Sequence, residues 1–499
     1  MNVITKVRRL NPADIDDLPR YRRGELHEFR SADQDFIYLV SAGAVFALDE
    51  GARYVLARLA EQDMTHPELA AALVDEGYSQ DDAEGLIGEL RQVQGIVLLA
   101  PGQEPARAPS PASPPADFPL QALVLNITNQ CNLACTYCYE FGADKIATPA
   151  GKAKYMTLDT AKTSVDFLLG KSAGRKAVHI TFFGGETLMN FKLLKDVVTY
   201  ALGRAAEQGR QITFSLTTNA TLLTDDIIAF LSDHAIGVTV SMDGPPDLQD
   251  LRRVDKKGRG TYATIEPRLR KLIANHRTRA ITARVTLTEG VTDVLRIYRH
   301  LKDDLGFHEV GFAPVTSSGE QDYGLGGDGM DGVLAQFNTL AEEWLSYALR
   351  GQMHGFSNVS ETIGELLQGT NKSHPCGAGI GLLGVGPSGD LSPCHRFTDA
   401  DTHTLGHIST GIDETKRDDF LSRGHVAAKY ECQNCWARPL CAGGCHHEAF
   451  VRYGDTGHAN LHYCDWIRQW TDTCLRIYGT VSELNPQFLE RFAERKAVS

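Results

Sequence analysis

Apolar and polar positions alternate most regularly between residues 120 and 317. Short β-rich runs fall at 122–127, 177–183, 211–217, 237–242, 281–286 and 309–314. Stretches with a helical apolar period lie between them, at 158–169, 191–208 and 224–233. This alternation predicts right-handed crossovers onto a parallel sheet. About six such units make an incomplete (β/α)6 barrel, an α/β fold whose site lies at the strand C-termini.

Residues 1–100 form a separate unit. The apolar runs 36–40 and 44–48, split by Ser41, Ala42 and Gly43, predict a hairpin. Helices are expected at 51–61, after Thr65 with Pro67 in the first turn, and after Ser79 with Asp81 and Asp82 in the first turn. A hairpin with three short helices predicts a winged-helix-like module. DNA binding is disfavoured, because residues 1–100 hold 10 Lys and Arg against 18 Asp and Glu. A strand edge that docks a peptide is the preferred role, with a purely structural role as the alternative. Residues 101–119 carry Pro101, Pro105, Pro109, Pro111, Pro114, Pro115 and Pro119, which predicts an extended linker. The barrel is expected over 120–317, a helical bridge over 318–373, a cysteine-rich domain over 374–474 and a terminal helix over 475–499.

Charge and composition narrow the class. The 499 residues carry a formal charge of -13, which excludes the electrostatic footprint of a nucleic-acid binder. The N-terminus lacks an apolar segment with a small-residue cleavage site, and no apolar run reaches the roughly 18 residues a membrane helix needs. No membrane partner is expected, and the cytoplasm is the expected location. Eleven cysteines in such a compartment point to metals rather than disulfides.

Cys131-Asn-Leu-Ala-Cys135-Thr-Tyr-Cys138 directly follows the first barrel strand. Three thiolates at this spacing suit three irons of a [4Fe–4S] cluster and leave the fourth open to a small molecule. The alternative is zinc, which prefers four closed ligands. Downstream come Cys376, Cys394, Cys432, Cys435, Cys441, Cys445, Cys464 and Cys474. In isolation, the close pairs at 432–445 also match a zinc pattern.

The first motif resembles that of the radical S-adenosylmethionine (SAM) superfamily. Further segments follow in that superfamily's order: Gly184-Gly185-Glu186 after the second strand, Thr218-Asn219 after the third, Ser241 after the fourth and Arg284 in the fifth. The resemblance implies that Gly184, Gly185 and Glu186 meet the SAM amino group and that Thr218 and Asn219 meet its ribose. It places Ser241 and Arg284 at the SAM carboxylate and Tyr137 by the adenine. A structural ion pair for Arg284 and a core position for Tyr137 are the plainer alternatives. The implied reaction begins when SAM is cleaved to a 5′-deoxyadenosyl radical that abstracts hydrogen from carbon.

The later cysteines resemble the SPASM extension of radical SAM peptide-modifying enzymes, which adds two auxiliary [4Fe–4S] clusters and makes three in all. The resemblance implies that Cys376, Cys394 and Cys445 hold the nearer auxiliary cluster. Cys432, Cys435, Cys441 and Cys464 would hold the distal one. The nearer cluster is one ligand short, and water, His374 or a substrate thiolate would complete it. Cys474 remains as a buried free thiol. His446 and His447 are either donors toward the cysteine sulfurs or ordinary loop residues.

Segments along the whole chain are similar to the maturases of quinohemoprotein amine dehydrogenase, among them residues 36–48, 123–131, 181–187, 215–223, 238–245, 283–288 and 310–316. That family joins cysteine sulfur to methylene carbons of Asp and Glu in the small γ subunit of the dehydrogenase. The implied partners are such a polypeptide and an electron donor such as flavodoxin or ferredoxin. Rival expectations are formylglycine formation on a sulfatase, a carbon–carbon crosslink, and a non-catalytic iron–sulfur scaffold. The sulfatase rival is weakened because His395, rather than Asp, follows Cys394.

Overall fold

The computed structural model describes residues 18–100, 111–115, 117–147 and 151–494. The predictions for residues 1–17, for Pro101, Pro105 and Pro109, and for 495–499 fall outside these residues.

Helix Glu50–Glu61 starts at Asp49, whose carboxylate accepts from Ala52 N at 2.7 Å. Helix His66–Asp75 has a full capping box between Thr65 and Glu68, and helix Gln80–Gln92 is capped by Ser79. Three strands frame these helices: β1 (Arg20–Arg23) is central, with β5 (Met64–Thr65) and β6 (Ile96–Leu99) on either side. The hairpin is part of a second sheet, made of β2 (Leu26–Ser31), β3 (Gln34–Leu39) and β4 (Ala44–Ala47).

Strand β3 buries both of its faces. Ile37 and Leu39 join the core of the N-terminal helices, whereas Phe36 and Tyr38 join the main core of the molecule. The period of two therefore welds two cores together through one strand. On the second face lies helix Cys464–Leu484, where Gly479 leaves room for Phe29 and Phe36. Ser31 Oγ donates to Arg476 O at 2.7 Å, and His27 Nε2 pairs with Asp472 at 2.7 Å.

The six strands predicted for the barrel are all present: β7 (Ala122–Asn126), β8 (Ala177–Phe183), β9 (Gln211–Thr218), β10 (Gly237–Ser241), β11 (Ile281–Leu287) and β12 (Glu309–Pro314). They pair in parallel and in sequence order, with helices between them, so the central fold is the expected partial α/β barrel.

The sheet is longer than six strands. β13 (Leu382–Val385) pairs in parallel with β7, and β14 (Asp390–Ser392), β15 (Gly406–His407) and β16 (Gly411–Ile412) continue antiparallel. The cysteine-rich segment is thus joined to the barrel edge by backbone hydrogen bonds. The terminal helix also differs from its predicted span, because helix Cys464–Leu484 is continuous and Pro486–Glu494 follows it. The end of the proline segment packs onto the barrel: Arg175 Nε donates to Pro119 O at 3.0 Å. No helix among the described residues is long and apolar enough to cross a membrane.

Candidate functional site

The loop after β7 carries Cys131, Cys135 and Cys138, and two neighbouring segments hold it in place. On one side Gly185 N donates to Thr128 O at 3.0 Å, and Glu186 N donates to Gln130 O at 2.9 Å. Gly184 has φ +135°, and a Cβ there would sit 2.3 Å from Thr128 O. A Cβ on Gly185 would sit 2.5 Å from Gln130 O. The glycines are therefore needed first for close approach to the cysteine loop. On the other side Ala134 N donates to Val254 O at 2.8 Å and Thr136 N to Arg252 O at 3.1 Å.

Glu186 is buried and ties two strand ends together. Its carboxylate accepts from Thr218 Oγ1 at 2.6 Å, Asn219 N at 2.8 Å and Leu188 N at 3.1 Å. Burial raises its carboxyl above the usual range, and these three donors oppose the rise. Asn219 Nδ2 reaches Asn132 Oδ1 at 3.0 Å, linking the third strand end to the loop.

Tyr137 enters a buried triad that sequence inspection missed. Its hydroxyl donates to Asp243 Oδ2 at 2.5 Å, and Arg253 Nε donates to the same oxygen at 2.8 Å. The guanidinium lies 5.3 Å from the Tyr137 ring centroid. Asp243 Oδ1 accepts from Thr286 N at 3.0 Å, so its carboxylate is fully engaged.

These groups surround a cavity of about 450 Å³ at the strand C-termini. Cys131, Cys135, Cys138, Tyr137, Gly184, Gly185, Glu186, Thr218, Asn219, Ser241 and Arg284 all line it. His395 and Arg396 close it from the cysteine-rich segment. Arg284 stands opposite Gly311 across the β11–β12 pair, where a side chain would crowd its guanidinium. Much of its surface is accessible, but that surface is cavity wall, and burial lowers its pKa accordingly.

A second cavity, of about 380 Å³, adjoins the first. The two share Arg284, Ala313, Pro314, Thr316 and Arg396. Cys432, Cys435, Cys441, Cys445 and Cys464 line the second. Cys376, Cys394 and Cys445 form a neighbouring group, close enough for Cys445 to add to the burial that raises the Cys376 and Cys394 thiols. Between Cys441 and Cys445 the chain runs through Ala442, Gly443 and Gly444, all with positive φ, of 47°, 82° and 80°. This left-handed stretch redirects the chain, so that Cys445 lies between the cysteines of the second cavity and the pair Cys376 and Cys394.

Burial pushes Cys131, Cys394 and Cys432 up to about 12 and Cys138 up to about 11. Thiolates in such places need a strong positive partner, which a metal supplies. Two further observations fit a group seated among these cysteines. The ring nitrogens of buried His447, two residues after Cys445, have no hydrogen-bond partner among the described residues. Neither does Nε1 of Trp466, two residues after Cys464. No three His, Cys, Asp or Glu side chains among the described residues are placed to hold one metal ion. Thiolates of a multi-iron cluster each take a different iron and need not converge on one point.

Other predicted residues lie elsewhere or are already engaged. His374 uses both ring nitrogens, Nε2 toward Leu421 O at 2.8 Å and Nδ1 toward Ser373 Oγ at 3.0 Å, so both are already engaged. Cys474 is buried in helix Cys464–Leu484, away from both groups. Buried Lys429 was missed in the sequence, where nothing distinguishes it. Its Nζ donates to Ala442 O at 3.1 Å, among the charges of Cys432, Cys441, Cys445 and Cys376. A third cavity, of about 470 Å³, opens at the opposite ends of the strands, lined by His179, Thr213, Ser215 and Arg279.

Comparison with known proteins adds to this geometry. Residues 125–301 match the radical SAM superfamily model. A serine-type anaerobic sulfatase-maturating enzyme of Klebsiella aerogenes is 26% identical over 347 residues, covering 68% of this chain and 82% of that protein. Native anSMEcpe with bound AdoMet superposes with a TM-score of 0.62 at 20% identity, covering 73% of this chain and 100% of that one. Streptococcus suis SuiB bound to precursor peptide SuiA gives 0.50 at 13% identity, covering 89% of this chain and 99% of that one. The superfamily implies one [4Fe–4S] cluster and SAM, and the cysteine loop, the glycine contacts and the cavity are compatible with both. Residues 125–301, with their parallel strands and cysteine loop, therefore form a radical SAM domain.

Proposed function

We propose that this chain is a radical SAM peptide maturase that forms thioethers between cysteine sulfur and Asp or Glu side-chain carbons of one small polypeptide. The observation that carries the reading is the shared wall of the two cavities at Arg284, Thr316 and Arg396. A carbon activated in the first cavity lies within reach of a sulfur held at the edge of the second. The expected polypeptide resembles the γ subunit of an amine dehydrogenase.

Cys131, Cys135 and Cys138 would hold one cluster, Cys376, Cys394 and Cys445 the nearer auxiliary cluster, and Cys432, Cys435, Cys441 and Cys464 the distal one. When bound, SAM and its cluster supply a one-electron cleavage that ends in removal of a hydrogen atom from carbon. The remaining work falls to the protein's own residues. Glu186 braces the strand ends, and Ser241 and Arg284 face the SAM carboxylate. The nearer cysteine group, one ligand short, leaves room for a substrate thiolate. Overall the carbon loses one hydrogen atom, and the thiol loses a proton and an electron. The iron–sulfur groups these cysteines would hold would take up that electron, and a donor of flavodoxin or ferredoxin type would supply the one that SAM cleavage needs. The N-terminal module would hold the polypeptide at the outer edge of β4, which pairs only with β3 among the described residues and where Phe46 is 39% exposed. The bound precursor peptide of SuiB supports a peptide as substrate.

Similarity to a sulfatase-maturating enzyme supports a second reading, formylglycine formation. Against it stands His395 in place of an Asp, since burial lowers its imidazole to about 3 and leaves it a weak proton acceptor. The test is anaerobic incubation of reduced, iron-loaded enzyme with SAM and the polypeptide, followed by mass spectrometry. Thioether formation removes two hydrogens per crosslink and leaves the cysteine resistant to alkylation. Formylglycine from cysteine would instead remove sulfur.

A further inference from the structure

Two arginines without acid partners meet at the shared wall of the cavities. Among the described residues, neither the Arg284 nor the Arg396 guanidinium has a carboxylate within 4 Å, and Glu361 acts on Arg284 only from beyond that distance. Arg396 Nη1 donates to Thr316 Oγ1 at 2.9 Å, and its guanidinium lies 4.8 Å from the Tyr139 ring centroid. These contacts fix the plane of the fork and leave further donors facing the cavity. Glu448, the one acid whose charge acts on Arg396, lies 3.3 Å from His462 Nε2 without a hydrogen bond between them. Arg396 is half-buried, and a guanidinium drawn partly out of water is costly unless an anion shares the site. SAM has a single carboxylate, and Arg284 takes it in the reading above. Arg396 is left over, on the side of the cysteines.

We infer that Arg396 binds the side-chain carboxylate of the substrate residue that becomes crosslinked, so the site selects Asp or Glu. This rests on the peptide-maturase reading and adds the residue that sets its specificity. A planar fork matches a carboxylate in two parallel hydrogen bonds, which an amide cannot reproduce. Held there, the acidic side chain presents its methylene carbons to the SAM cavity and lies beside Cys394 and Cys445. The rival role for Arg396 is to balance the charge of that cysteine group, which also lies near it.

The test uses the full-length, iron-loaded, SAM-bound enzyme and a short peptide with one Cys and one Asp, next to the same peptide with Asn. Calorimetric binding is expected to favour the Asp peptide about tenfold or more in the wild type. R396Q should bring that ratio close to one, and R396K, which keeps the charge without the fork, should restore part of it. The inference is overturned if the wild type shows no preference or if R396Q keeps the wild-type ratio. It is also overturned if R396Q only loses iron or changes the auxiliary electron-paramagnetic signal. If the Asp peptide is preferred through Arg396 but carries no crosslink after turnover, the carboxylate site stands and the thioether reading falls.

Discussion

At the scale of single residues, the cysteine loop depends on contacts too close for a side chain. A Cβ at Gly185 would sit 2.5 Å from Gln130 O, a backbone atom that cannot step aside. Gly185→Ala should therefore displace the loop, lower iron content at that site and cut SAM cleavage at least about tenfold, as read by iron analysis and 5′-deoxyadenosine assay. The Asp243 carboxylate stands between Tyr137 and Arg253 with no exposure. Asp243→Asn leaves the Arg253 charge buried without a partner and should cost about 3 kcal/mol in denaturant unfolding. Tyr137→Phe, which removes one hydrogen bond to the same carboxylate, should cost about 1 kcal/mol. The cysteines are legible in the sequence because their spacing is local. The triad is not, because its three members come from three segments that meet only after the strands have paired. Arg396 is hidden for the same reason.

At the scale of elements, local signals were enough for the caps and the six parallel strands. Thr65 and Ser79 stop the chain in extended backbone and accept from the first helical turn, a pattern written within four residues, and Asp49 does the same for the first helix although no cap was predicted there. Strand β13 has no such signal. It is only Leu382–Val385, and it is a strand because β7, far away in sequence, offers an open parallel edge. Helix Cys464–Leu484 was obscured because a cysteine at its first residue reads as a loop ligand. That helix carries a testable contact, since a Cβ at Gly479 would meet Phe36 at 3.2 Å and Phe29 at 3.3 Å. Gly479→Val should push the β2–β4 sheet off the helix. The measurable result is faster proteolysis of the N-terminal module while the barrel stays intact.

At the scale of the whole molecule, the N-terminal module is joined to the cysteine-rich segment through more than one contact. His27 stacks on Trp436 at 3.7 Å between ring centroids, next to Cys435, and Arg438 pairs with Glu25. A peptide docked at the module, as proposed, would be held by a body in contact with the cysteine-rich segment. Stability should also depend on pH through buried His354, which desolvation lowers to about 4. Its folded pKa is below the unfolded value of about 6.5, so the unfolded chain takes up protons first. The stabilisation is complete above about 6.5 and is lost as pH falls from there toward 4. Thermal unfolding should therefore show a lower Tm at pH 5 than at pH 7.5, with His354→Gln reducing the difference.

The most direct test of the central claim is where the abstracted hydrogen comes from. The polypeptide would be made with deuterium either on its Asp and Glu methylene carbons or on its cysteine β-carbons, and the 5′-deoxyadenosine would be weighed after turnover. Thioether formation at acidic side chains predicts deuterium in that product from the Asp and Glu label alone. Deuterium arriving from the cysteine β-carbon would contradict it and would favour formylglycine chemistry at the same site.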